Sequence, residues 1–209
     1  MRQPSVHAAR LRLDIAPARF VVLCVGPTSS PIAGPVSSPI MPRDGIDTVI
    51  LACAMLREQH GVDAMLVVVG GEQGGDSSDD LERARLHQLT RELDVARHIR
   101  FAARPAHAVL NDYHAAADVF ASMPWHASPA AAGAVTMAMT AALPVVTAAT
   151  GPIAAMVRDG VTGYLVPSRD PDTLCRCLAR LQRQPLQARA MGMAGQAHAS
   201  TTPHRKTPA

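Results

Sequence analysis

Two apolar runs, FVVLCVG at Phe20 to Gly26 and MLVVVGG at Met65 to Gly71, contain no polar residue and are each closed by glycine. A strand with one wet face alternates apolar and polar positions. A run without a polar position must be covered on both faces, as parallel strands are when helices lie above and below them. The intervening segment has helical spacing instead: Ile46, Val49, Ile50, Cys53 and Leu56 recur at three- and four-residue steps, and Gly61 closes it. Further strands are expected at Arg100 to Ala103, DVFASM from Asp118, PVVTA from Pro144 and GYLVP from Gly163. Helices are expected over LERARLHQLTRELDV, Ala106 to Ala115, Ala134 to Ala141, Ile153 to Val157, DPDTLCRCLARLQRQ and PLQARAMGMAGQAHA. This alternation predicts an α/β fold: one doubly wound, mostly parallel, Rossmann-like sheet with helices on both faces. The domain is expected over residues 19–199. Residues 1–18 lack a sustained period and read as a disordered tail, and residues 200–209 as another. Pro27 to Pro42, rich in Pro, Ser and Gly, reads as a flexible loop.

Composition narrows the function classes. A chain of 209 residues can bury a core without staples, but only 3% of it is aromatic. That leaves few faces on which single-stranded nucleic acid could stack. Arg83, Arg85, Arg91, Arg97 and Arg100 alternate with Asp79, Asp80, Glu82, Glu92 and Asp94, the mixed-sign pattern of a solvated helix rather than a nucleic-acid patch. Cys24, Cys53, Cys175 and Cys177 lack paired metal-ligand spacing and read as free thiols, which suits a reducing cytoplasm. No signal-peptide core and no stretch of membrane-spanning length is present, so a cytoplasmic protein is expected, compatible with peripheral attachment to a membrane.

Ligands of doubly wound sheets bind beyond the carboxyl ends of the strands, so the informative loops follow Gly26, Gly70, Ala103, Ser122 and Ala148. A nucleotide or another small anion is the expected occupant. GGEQGG at Gly70 to Gly75 lacks the Lys-Ser/Thr of a phosphate-cradling loop and the GxGxxG order of a dinucleotide site, and reads as a turn. His126 lies at the end of a strand without an acidic partner nearby in sequence, so loop packing describes it better than general-base chemistry. The histidines form no metal-binding motif.

Leu143 to Arg169, LPVVTAATGPIAAMVRDGVTGYLVPSR, carries a resemblance that extends to MPRDGIDTVILACAMLREQHGVDAMLVVVGGE, LTRELDVARHIRFAARP and LNDYHAAADVFASMPWH in matching order. Together these segments, over roughly 160 residues, resemble the C-terminal, nucleotide-sugar-binding half of retaining glycosyltransferases of family 4 (group 1), which have the GT-B fold. The resemblance implies a UDP-, GDP- or ADP-sugar as donor and no metal requirement. It also implies a second Rossmann-like domain for the acceptor, here expected from a separate polypeptide. In the family, a cation follows the first strand and a lysine precedes the glycine of the next helix; here Pro27 follows Gly26, and Arg43 and Asp44 precede Gly45. The family's two donor-site glutamates are also replaced. Ala127, Ser128 and Pro129 stand near one and Met137 stands at the other. The remaining donor-binding candidates are Gly26, Arg43, Gly45, Arg104 beside the expected base site, His126, the amides of Gly133, Ala134 and Val135 at an expected helix N-terminus, and Met137. No catalytic residue is assigned. The resemblance thus implies a glycosyltransferase-related domain from which turnover by this chain alone is not expected; a non-catalytic nucleotide-sugar or protein-binding module, or a remnant, is the other reading.

Overall fold

A computed structural model describes residues 5–26, 41–70, 77–102 and 107–201. Its elements in chain order are α1 (Val6–Arg12), β1 (Phe20–Val25), α2 (Ile46–His60), β2 (Ala64–Val69), α3 (Ser77–Glu92), β3 (Ile99–Ala102), α4 (His107–Ala116), β4 (Val119–Ser122), α5 (Pro129–Thr140), β5 (Val145–Ala148), α6 (Gly151–Met156), β6 (Gly163–Val166), α7 (Pro171–Arg183) and α8 (Pro185–Thr201). The six strands form one sheet in the order β3-β2-β1-β4-β5-β6, and every pairing is parallel. The winding reverses between β1 and β4, which opens a crevice at their carboxyl ends.

At the centre of the sheet, in β1 and β2, both faces are dry, as the apolar runs require. Val22 and Cys24 of β1 join a core with α2, α3 and α7, while Val21, Leu23 and Val25 join a second core with α1, α4, α5 and α6. Helix α8 runs past β6 and contributes to both cores, through Ala188 and Met191 on one side and Ala199 on the other. The open edge of β6 is closed by the Asp159-Gly160 turn. The Leu165 amide donates to Asp159 Oδ1 (2.9 Å), and the Gly160 amide donates to the Gly163 carbonyl (2.8 Å). These contacts occupy part of an edge that would otherwise be open to another strand.

The expectations for both tails, for the α5 start and for the end of the Pro27 to Pro42 loop are corrected. Within the segment expected to be a tail, Val6–Arg12 is a helix, capped by Ser5 and packed on α4. Its anchor is Arg10, which donates from Nε to the Ala116 carbonyl (3.0 Å), from Nη1 to the Pro17 carbonyl (2.5 Å) and from Nη2 to Asp118 Oδ2 (2.8 Å). A seven-residue helix gives periodicity no room to register, and its partners lie about a hundred residues away. Helix α5 starts at Pro129 rather than Ala134, because Ser128 caps it and proline suits the first helical position. Helix α8 continues through Thr201, and Pro42 belongs to a single 3-10 turn, Pro42–Asp44. Residues 27–40 of the expected loop and 202–209 of the expected C-terminal tail lie outside the described residues.

Helix α7 offers a direct check on local energetics. Asp170 Oδ1 accepts from the Thr173 amide (2.9 Å) and Oδ2 from the Thr173 hydroxyl (2.6 Å), which holds the Asp170 carboxyl below the usual carboxylate range. Asp170→Ala is expected to cost about 1 kcal/mol in urea melts at neutral pH. Because the folded value is depressed, this contribution is complete above the ordinary aspartate value and disappears as pH falls through the folded one. Asp170→Asn should keep part of the cap and lose that pH dependence.

Candidate functional site

The crevice between β1 and β4 narrows to a small cleft of about 20 Å³, walled by Gly26, Asp44, Ile46, Ser122 and Ser128 among others. Gly26 continues β1 and donates its amide to the Val69 carbonyl (2.7 Å), so its backbone is fixed where the strand ends. Gly45 sits at φ +68°, and a Cβ there would overlap the carbonyl oxygen of Met123, just past β4. That close approach brings the start of α2 to the crevice, and only glycine permits it.

Two helices begin at this cleft, and they differ. Helix α5 is closed by its cap, since Ser128 Oγ accepts from the Ala131 amide (3.1 Å). Helix α2 has Gly45 as its N-cap, which has no side chain to cap it, and among the described residues only Asp47, from within the first turn, accepts one of its first amides through a side chain. A fifteen-residue helix with an uncapped N-terminus concentrates partial positive charge where its first amides emerge. Two carboxylates modify that field. Asp47 Oδ1 accepts from the Thr48 amide, and its Oδ2 pairs with Arg85 (3.0 Å). Asp44 lines the cleft while Oδ2 accepts from the Met41 amide (2.8 Å), bracing the 3-10 turn before α2. Burial, assisted by the Asp44 charge, pushes the Cys24 thiol up to about 12, so it stays protonated and inert.

The candidates read from the sequence separate into groups. Gly26 lines the cleft, and Gly45 lies in sequence between the lining residues Asp44 and Ile46. The amides of Gly133, Ala134 and Val135 do not lie at a helix N-terminus; with α5 starting at Pro129 they fall in its second turn, where intrahelical bonds use them. Ala134 and Val135 are core residues, and Met137 is half-buried against the same core. His126 is exposed in the loop after β4. Arg43 contributes its backbone to the 3-10 turn, while its side chain and all of Arg104 lie outside the described residues. No group of three or more His, Cys, Asp or Glu among the described residues is arranged to hold a metal ion.

One contact at the rim has no counterpart among the candidates read from the sequence. The Arg169 guanidinium stacks on Trp125, with its central carbon 3.5 Å from the ring centre. Trp125 follows Pro124 of the cleft wall, and the Ser168 hydroxyl donates to the Pro124 carbonyl (3.4 Å), tying the β4 and β6 loops together. The only tryptophan of an aromatic-poor chain was the available signal; its partner lies 44 residues away in the sequence.

Comparison with known proteins adds ancestry to this geometry. The family model for glycosyl transferases group 1 matches residues 36–198. A D-inositol 3-phosphate glycosyltransferase from Streptomyces griseus is 29% identical over 194 residues, covering 93% of this chain and 38% of that protein. Among solved structures, a sucrose-phosphate synthase from Thermosynechococcus elongatus superposes with a TM-score of 0.77 at 27% identity, over 94% of this chain and 44% of that one. HepE from Anabaena, solved in complex with UDP and glucose, has the same fold with a TM-score of 0.75 at 22% identity, over 93% and 47%. The chain spans less than half the length of each of these proteins.

Proposed function

Since the chain belongs to the glycosyl transferases of group 1, we propose that it binds the diphosphate of a nucleoside-diphosphate sugar at the β1/β4 crevice and does not transfer the sugar by itself. The observation that carries this reading is the uncapped N-terminus of α2, brought to the crevice by the close approach of Gly45 to Met123. Main-chain amides at such a terminus attract phosphate whatever the side chains are. By the family resemblance, Arg43 is the candidate cation for the diphosphate and Arg104 a candidate for the base.

The same residues argue against turnover. Departure of a nucleotide is promoted by fixed donors and cations where negative charge develops, each commonly worth several kcal/mol. Here the position of the ribose-binding carboxylate holds Met137, a thioether that accepts hydrogen bonds poorly, and no acid lies between Ser122 and Thr150.

Calorimetric titration of the purified chain with UDP, GDP and their sugars tests the reading. Saturable heat with at least one of them, without release of nucleotide from the sugar on prolonged incubation, is the expected outcome. Absence of heat at millimolar ligand would refute donor binding and leave a protein-binding module or a remnant.

A further inference from the structure

We propose that Arg169, carried on the face of Trp125, is the side-chain cation that meets the phosphate of the ligand at the mouth of the β1/β4 crevice. The inference rests on the nucleotide-binding reading above and assigns to it a residue that the family pattern does not supply.

Three observations converge on Arg169. It is exposed three positions beyond the end of β6, and among the described residues its guanidinium meets no carboxylate. The adjacent acid, Asp170, is already committed to Thr173 as the cap of α7. A guanidinium stacked by one face on an indole keeps its edge N–H groups free, and those are the donors that engage phosphate in pairs.

The backbone is the second observation. Arg169 has φ +59°, the left-handed region in which a side chain other than Gly, Asn or Asp is strained. The turn into α7 would be made without strain by glycine, so arginine is a poor choice there on conformational grounds. Strain of this kind at the rim of a crevice points to a function for the side chain that pays for it.

The third observation is the ring itself. Trp125 Nε1 is buried and, among the described residues, has no hydrogen-bond partner. A buried indole N–H is normally satisfied, so the ring that carries the cation sits here at a polar mismatch that packing alone does not explain. With Ser168 tying the two loops together, the pair forms a preformed polar rim above Pro124 rather than a loose surface arginine.

Two variants and three ligands decide the matter. Arg169→Gly removes the cation and relieves the backbone; Arg169→Gln removes the charge and keeps a long polar side chain. Calorimetry with UDP should show about tenfold weaker binding for both, the loss expected for one charge-assisted contact. Binding of uridine, which lacks phosphate, should not differ between the variants and the parent chain. Inorganic pyrophosphate should compete with UDP in the parent chain and much less in either variant. The melting temperature of Arg169→Gly should equal or exceed that of the parent. Unchanged UDP affinity in both variants would overturn the inference and leave nucleotide binding intact, as would a melting temperature lowered by several degrees in Arg169→Gly, which would show that the arginine is there for its stack. Absence of UDP binding by the parent chain would remove the nucleotide reading and this inference with it.

Discussion

Gly45→Ala should lower the stability of the chain by about 3 kcal/mol, from left-handed backbone strain together with overpacking against a neighbouring main chain. At φ +68° a Cβ is disfavoured by itself, and here it would also overlap the Met123 carbonyl, which no rotamer change can move aside. Relief requires either the start of α2 or the end of β4 to shift, and both wall the crevice. Gly61 provides the internal control. It caps the other end of α2 at φ +64° with nothing among the described residues within 4 Å of a Cβ, so Gly61→Ala carries the strain without the overlap. In a chain of this size each kcal/mol displaces the melting temperature by roughly 3 °C. Gly45→Ala should therefore melt about 10 °C below the parent and Gly61→Ala only about 3 °C below, from a strain term of about 1 kcal/mol. Equal shifts in the two variants would show that the approach of α2 to Met123 contributes nothing.

Arg10→Met should be the next most damaging change. Arg10 is almost wholly buried, and its guanidinium holds Asp118 at the start of β4 while Asp118 Oδ2 also accepts from the Val21 amide (2.7 Å). Removing one partner of a buried pair leaves the other charge without its counterion, at a cost of several kcal/mol when both are dry. The Asp118 side chain retains 36% exposure, so water softens the loss to about 2 kcal/mol. The pH dependence identifies the cause. Burial pushes the Asp118 carboxyl above its ordinary value, even against the lowering effects of the Val21 amide and Arg10. A raised acid binds its proton more readily in the folded state, so this group's contribution to stability falls as pH rises from the ordinary aspartate value through the folded one. Without Arg10 the folded value rises further. The deficit of Arg10→Met should therefore be complete at neutral pH and shrink on acidification, as protonated Asp118 ceases to need a counterion. Urea melts across that range, with the Arg10→Met/Asp118→Asn double variant as reference, give the measurement. A deficit independent of pH would mean that the lost bonds to Ala116 and Pro17, rather than the ion pair, account for it.

The sheet was legible because burial on both faces leaves a plain mark: a strand without polar positions, as in Phe20–Val25 and Ala64–Val69, has few other places to go. Helices α2 and α7 were legible for the complementary reason, a regular apolar period with a boundary signal at one end, Gly61 after α2 and Asp170 before α7. Helix α1 was not, because its stability resides in contacts of Arg10 with residues about a hundred positions away, and no local pattern encodes those. The α5 start at Pro129 carries no apolar period in its first turn and is set instead by the Ser128 cap before a first-turn proline. At the site, the glycines could be placed from their strand and helix ends. The chemistry around them could not, since it depends on which amides remain uncapped, as at α2, and on an arginine brought to a tryptophan by a tertiary turn.

The central claim is that a nucleoside diphosphate binds at the carboxyl ends of β1 and β4, on the start of α2. Amide-resolved NMR of the isotope-labelled chain during titration with UDP and GDP tests it directly. Saturable shifts concentrated at Gly26, Gly45, Ile46 and Asp47, with smaller ones at Trp125 and Arg169, are the predicted result. Shifts confined to the opposite, amino-terminal ends of the strands, or no shifts at millimolar nucleotide, would contradict it.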